Sequence, residues 1–341
     1  MFNYFSGCWY DSAHQKQRLA PFMQQYLIPA EIYGDTPDNL LSYFSYFAAQ
    51  PWAMLLDSAA PQHVNSRYDI LVAEPRATLE AKAGCSILTD EHGIHTYNED
   101  PFTVLNCALK RYFPEAAVSN LPFIGGALGY FGYDLGRYIE TLPATASADI
   151  QLPDMAVGIY PWALILDKQL KQLWYVDYRG KAEHGWQKLH SRLQQKALLS
   201  TAFSLSSPWQ ANMDKSGYVE RFNQVQQYLL SGDCYQINLT QRFSAQYQGD
   251  EWQAYLQLRD KNAAPFSAFI RLPQGAVLSI SPERFLQLHS GKVETKPIKG
   301  TRPRGICPMT DEVEADNLRN SAKDRAENVM IVDLLRNDLG K

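Results

Sequence analysis

The stretch from Ile159 to Tyr178 sets the tightest limit on the fold. Two apolar runs, Ile159–Leu166 and Gln172–Tyr178, lie on either side of Asp167-Lys168-Gln169. Runs this close cannot pair in parallel, because a parallel crossover needs on the order of a dozen residues, so an antiparallel hairpin is predicted. The same pattern recurs elsewhere. Trp52–Leu56 and Asp69–Ala73 read as short buried strands, the second stopped by Pro75. Val277–Ser281 is a strand halted by Pro282, and Phe285–Leu288 with Val293–Thr295 flank Ser290-Gly291 as another hairpin. Phe123–Tyr133 carries Gly125, Gly126, Gly129 and Gly132 without the spacing of a phosphate-binding loop. Glycines there are expected where backbone approaches backbone inside a sheet.

Helical spacing is rarer. Residues 181–196 are polar and helix-like, and the Ser-rich segment 198–207 ends at Pro208, which places a domain boundary between 1–207 and 208–341. Beyond it Tyr218, Phe222, Val225 and Leu229 predict a helix capped by Ser216 and ended by Gly232. Tyr235–Thr240 alternates with period two and predicts a strand. From Asn317 to Leu339, Ala322, Ala326, Val329, Met330 and Leu334 predict a long amphipathic helix.

Bulk properties exclude several roles. With 45% hydrophobic residues in 341, the chain has ample material for a large core. A formal charge of −4 gives its surface no general attraction for nucleic acid or anionic membrane, so neither is expected as a partner, and an anionic ligand requires a local basic cluster. Cys8, Cys85, Cys107, Cys234 and Cys307 are unpatterned, as expected of reduced, buried thiols in a cytosolic protein. Met1–Tyr10 has no basic residue and does not read as a signal peptide, and no apolar stretch is long enough to span a bilayer. The expectation is a soluble cytoplasmic protein.

Chemistry concentrates in three places. Lys296, Lys299, Arg302 and Arg304 fall within nine residues, punctuated by Pro297, Pro303, Gly300 and Gly305. Composition alone fits a solvated basic loop equally well. However, the Gly300 and Thr301 amides beside cations suit a carboxylate, and Lys299 follows a strand that would aim it inward, as a nucleophilic lysine requires. Glu283, in Ser281-Pro282-Glu283-Arg284, lies just past a strand end, where it is either an exposed turn residue or a general acid. In the last helix Asp324 and Glu327 lie one turn apart; they either face solvent or supply oxygen to Mg²⁺. Seven scattered histidines form no zinc pattern.

Taken in order, Gly232–Leu239, Ser281–Phe285, Pro297–Gly305 and Ala326–Leu339 resemble the chorismate-binding enzymes, and Ser66–Ile70 with Val72–Pro75 extend the match into the first half. That resemblance implies an α+β fold: two antiparallel β-sheets packed face to face, with helices outside. The Pro-Ile-Lys-Gly-Thr form at 297–301 is similar to the branch that aminates chorismate to 4-amino-4-deoxychorismate on the way to p-aminobenzoate and folate. In that branch the implied roles are Lys299 as nucleophile, Glu283 as general acid, Gly300 and Thr301 as substrate donors, and Glu327 as ligand to Mg²⁺. Ammonia would come from a separate glutamine amidotransferase subunit. A tryptophan-sized pocket is implied at Ser58, Asn65, Ser66, Arg67, Tyr68, Pro265, Phe266 and Ser267. The alternatives are the anthranilate-forming branch, or a non-catalytic tryptophan-binding fragment. Relatives continue past Lys341 with further strands and substrate ligands, so the chain alone is expected to be incomplete at its C-terminus and inactive.

Overall fold

The structure, a computed structural model, describes residues 23–30, 39–60, 63–115, 117, 119–146, 149–194 and 200–340. In chain order β1 (Gln24–Leu27) and helix α1 (Asn39–Phe47) precede β2 (Met54–Asp57) and β3 (Tyr68–Val72). A meander follows, β4 (Ala77–Lys82), β5 (Cys85–Asp90) and β6 (Gly93–Tyr97), then helix α2 (Pro101–Tyr112), β7 (Gly126–Phe131) and β8 (Met155–Tyr160). Next come β9 (Trp162–Asp167), β10 (Gln172–Asp177) and helix α3 (Ala182–Leu193).

The chain divides into two compact units, Leu198–Gln257 and the described residues on either side of it. The smaller unit holds β11 (Ser204–Leu205), β12 (Gln210–Ala211), helix α4 (Lys215–Ser231), β13 (Phe243–Ser244) and β14 (Tyr247–Gln248). β11 pairs with β14 and β12 with β13, and helix α5 (Glu251–Asn262) leads out of the unit. The larger unit resumes with β15 (Phe266–Leu272), β16 (Gly275–Ser281), the small hairpin β17 (Gln287–His289) and β18 (Lys292–Glu294), and helices α6 (Pro308–Asn320) and α7 (Ala322–Gly340).

Two antiparallel sheets make up the core of the larger unit, one of order β1-β10-β9-β3-β2-β15-β16 and one of order β6-β5-β4-β8-β7. Side-chain alternation decides what each face meets. In β8, Met155, Val157 and Ile159 point to α2 and pack with Val104, Leu105 and Ala108. The intervening Ala156 and Tyr160 point the other way and join Met54, Ile70, Ala163, Ile165 and Ile270 between the sheets. The Tyr160 hydroxyl, buried in that layer, donates to the Trp52 carbonyl at 2.7 Å. On the far face of the larger sheet Phe47 of α1 meets Trp162 and the buried Trp186 of α3 meets Tyr43. The expected architecture is thus observed. Among the described residues, no helix is long and apolar enough to cross a membrane.

Several local expectations hold. The hairpin β9–β10 has the register Leu166 with Leu173, and Ser290 and Gly291 take φ of 49° and 76° in the two-residue turn of β17–β18. Gly129 needs its missing side chain: a Cβ there would lie 2.0 Å from the Ala156 carbonyl oxygen in the neighbouring strand.

Others are corrected. The run Ile159–Leu166 is two strands, because Pro161 removes a ladder donor and the chain turns there from one sheet into the other. Tyr235–Thr240 forms no strand; Tyr235 is 88% exposed, and alternation without a layer to cover the apolar side does not hold a ladder. Asp214, not Ser216, caps α4, since its carboxylate is the stronger acceptor and takes the Gly217 amide at 2.8 Å. The last helix starts only at Ala322, after a break at Ser321, and buries none of its residues. The described cysteines are free thiols, but Cys107 and Cys307 are exposed and Cys85 and Cys234 half-buried. Met1–Tyr10 and Cys8 lie outside the described residues.

Two outcomes test this account. Gly129→Ala forces backbone against backbone and should lower unfolding free energy by about 3 kcal/mol, the upper range of overpacking, in a urea titration. Asp90, shielded from solvent, accepts from the His92 amide, the Tyr112 hydroxyl and Arg111, which hold its carboxyl down at about 2. Its contribution is therefore present above the unfolded value near about 4 and is lost as pH falls through about 2. The difference in urea midpoint between wild type and Asp90→Asn should shrink over that window; a gap that stays constant from neutral pH downward contradicts it.

Candidate functional site

Three neighbouring strands deliver the candidate residues to one end of the larger sheet. β2 lies between β3 and β15 and runs antiparallel to both, so its last residue, Asp57, sits beside the first residues of the other two. Ser58, Asn65–Tyr68 and Pro265–Ser267 therefore converge, although about two hundred residues separate them. β16 extends the row, with Ser281 opposite Phe266, and so places Glu283 just beyond the same edge.

The polar groups at this end are tightly paired. Ser58 donates through its amide and hydroxyl to Asp69 Oδ1 at 2.9 and 3.0 Å, and Lys168 Nζ reaches the same oxygen at 2.9 Å. Burial pushes the Asp69 carboxyl up from its ordinary value against the pull of Lys168. Arg67 forms a fork on Asp167, with Nη2 at 2.8 Å and Nε at 3.1 Å from Oδ2, and its guanidinium lies 4.6 Å over the Tyr68 ring. Asn65 is half-buried, Pro265 is buried, and Ser267 donates to the Ala264 carbonyl. Ser66 is buried and its hydroxyl has no partner among the described residues. Phe266 meets the His63 ring on one side and the Arg284 guanidinium on another.

Glu283 and Lys299 belong to one neighbourhood. The Ile298 amide donates to Glu283 Oε1 at 2.9 Å, so this exposed carboxylate holds the Pro297–Ile298 peptide, one residue ahead of Lys299. Lys299 is half-buried. Each of the other cations in the loop has a carboxylate: Lys296 pairs with Glu294 at 3.2 Å, Arg302 with Asp324 at 2.8 Å and Arg304 with Asp311 at 2.6 Å. Among the described residues Lys299 has none. No acceptor among them takes the Gly300 or Thr301 amide either, which leaves both donors for a ligand.

The carboxylates of α7 have separate tasks. Asp324 is committed to Arg302 and lies against Gly300, where a Cβ would be 2.9 Å from Asp324 Cγ. Glu327, half-buried on the same helix face, has no ion-pair partner among the described residues. No group of three or more His, Cys, Asp or Glu side chains converges among them. Mg²⁺ takes one or two carboxylates completed by ligand oxygens and water, and Glu327 is the residue on this face that would hold such an ion. The anchoring roles of Asp311 and Asp324 escaped sequence reasoning, because nothing local links an arginine to a carboxylate 22 positions on. An open cleft of about 440 Å³ lies between β18 and the end of α7, lined by Val293, Pro297, Val332, Leu335 and Leu339 among others.

Residues 52–341 match the family described as chorismate binding enzyme. The chain is 52% identical over 307 residues to aminodeoxychorismate synthase component 1 of Klebsiella aerogenes, covering 89% of this chain and 67% of that protein. With the Bacillus subtilis protein of the same name it shares 32% identity over 320 residues, covering 89% and 66%. Anthranilate synthase component I of Streptococcus pneumoniae TIGR4 superposes with a TM-score of 0.69 at 24% identity, over 82% of this chain and 62% of that one, which establishes the common fold. The chain spans about two thirds of the length of the curated relatives it matches.

Gly300 carries φ of 69° with Asp324 against it, so Gly300→Ala is strained on both counts. Hydrogen exchange of the flanking Ile298 and Gly305 amides, held by Glu283 and Asp311, should accelerate in this variant, with a global stability loss of about 1 kcal/mol. Wild-type exchange at these amides contradicts the packing described.

Proposed function

The chain belongs to the chorismate-binding enzymes, and from that premise we propose that it serves the amination of chorismate to 4-amino-4-deoxychorismate, with Lys299 as covalent nucleophile. One observation carries the reading: of four cations in the 296–304 loop, only Lys299 lacks a carboxylate among the described residues. A lysine tied into an ion pair makes a poor nucleophile, whereas an untethered one is free to attack. The 52% identity to a protein named aminodeoxychorismate synthase component 1 supports the same branch.

In this reading the Lys299 nitrogen bonds to ring C2 while the C4–O bond breaks, and Glu283 gives its proton to the departing oxygen, which leaves as water. The new secondary ammonium returns a proton to Glu283. Ammonia then bonds at C4 as the C2–N bond breaks with its electron pair going to Lys299; Glu283 gives its proton to that departing nitrogen, and the new C4 ammonium returns one to Glu283. Dividing one displacement into two is the advantage of the covalent route. Because Glu283 Oε1 already accepts from Ile298, Oε2 is the oxygen left for proton transfer. The free amides of Gly300 and Thr301 donate to a substrate carboxylate. Glu327 would hold Mg²⁺, which would supply positive charge for an anionic substrate.

Ammonia is assigned to a separate glutamine amidotransferase, in keeping with the "component 1" of the relatives' name. The reaction is assigned to the cytoplasm. The end of the sheet around Ser58, Ser66 and Phe266 is assigned to an amino acid of tryptophan size, supported by the buried Ser66 hydroxyl that has no partner among the described residues.

Incubating the full-length protein with chorismate in the absence of ammonia should add the mass of chorismate less water at Lys299, seen by peptide mass spectrometry. Lys299→Ala should show no adduct, and Glu283→Gln should slow adduct formation by about 10²–10⁴-fold. Amination that persists undiminished in Lys299→Ala would overturn the covalent route.

A further inference from the structure

We propose that Asp324 is a positioning residue, bracing the peptide that carries Lys299 against the helix that carries Glu327. This deepens, and rests on, the reading of Lys299 as nucleophile. The loop is gripped on both sides of that lysine. On the N-terminal side Glu283 accepts from the Ile298 amide at 2.9 Å. On the C-terminal side the Gly300 backbone lies directly on Asp324, whose Cγ, Cβ and Oδ1 stand 2.9–3.0 Å from where a Cβ would be. Two residues further on, Arg302 donates to Asp324 Oδ2 at 2.8 Å and to the Thr301 carbonyl at 2.8 Å. One carboxylate therefore fixes 300–302 through steric contact and through an ion pair.

Its environment suits a fixed anchor. The Asp324 side chain is 13% exposed, its amide is held by Ser321 at the start of α7, and the Ser321 hydroxyl and Arg302 keep its carboxyl below the ordinary range. Asp324 stands one turn before Glu327, so both share a helix face. Movement of α7 at this turn is thereby passed to the nucleophile's backbone. The role is mechanical: Asp324 acts through the loop backbone at 300–302 and through Arg302.

The full-length chain provides the test. Lysines are acylated with a small amine-selective reagent and labelling at Lys299 is quantified against Lys296 in wild type, Asp324→Ala, Asp324→Asn and Arg302→Lys. Asp324→Ala should change the Lys299-to-Lys296 ratio by about fivefold, the upper end for a partly exposed ion pair, and should accelerate exchange of the Ile298 and Gly305 amides but not in Gly126–Phe131. Asp324→Asn, which keeps an acceptor for Arg302, should recover most of both. With chorismate present, Asp324→Ala should lower the maximal rate of adduct formation and, because the Gly300 and Thr301 donors lose their support, raise the half-saturating concentration. Unaltered labelling and exchange in Asp324→Ala overturn the brace. Should wild type form no adduct while these responses appear, the brace stands and the covalent reading falls. If Asp324→Ala does not fold, Asp324→Asn and Arg302→Lys decide by the same ratios.

Discussion

The pairing of β2 with β15 is the constraint on which the rest of the larger unit depends. Met54–Asp57 forms its ladder with Ser267–Ile270, joining segments about two hundred residues apart within a seven-stranded sheet and attaching β15 and β16 to it. A buried ion pair locks the same junction, since Arg259 donates to Asp57, whose side chain is wholly shielded. Removing one member would leave an uncompensated charge, which costs far more than the pair contributes. Once β15 is seated, β16 follows by hairpin, and Glu283 emerges where the 296–304 loop must pass. The site is thus a product of strand order before it is a product of any side chain.

Charge in that loop is distributed by the same economy. Lys296, Arg302 and Arg304 each find a carboxylate, from β18, α7 and α6 respectively. These pairs are partly exposed, so each contributes little stability. Their effect is geometric: they occupy three of the loop's four cations and leave the Lys299 amine without a carboxylate among the described residues. An anionic substrate meets a loop whose shape is set by its own salt bridges.

Much of this was legible in the sequence, and the limits are physical. Ser290-Gly291 announced its hairpin because two residues with positive φ are demanded by that turn alone. Lys299 stood out because two prolines and two glycines exclude regular structure around it. Antiparallel packing followed from the closeness of β9 and β10. By contrast, Tyr235–Thr240 alternates as a strand does yet forms none, since alternation specifies a face and not the layer that covers it. Pro161 was visible but its role was not: a proline interrupts a ladder, and only the second sheet shows that the chain continues there. The pairs Arg302–Asp324 and Arg304–Asp311 depend on how loop and helices meet, which periodicity does not encode.

That corner at Pro161 has a structural cost and benefit. Tyr160 ends a strand of one sheet and Trp162 begins a strand of the other, so a single residue stitches the two layers together. Successive Cα atoms are about 3.8 Å apart, and no slack loop exists at the seam to absorb a change in separation. The thickness available to Tyr160, Ile165 and their neighbours is therefore dictated by covalent geometry at this edge, and side chains must be chosen to fill a gap whose width they do not set.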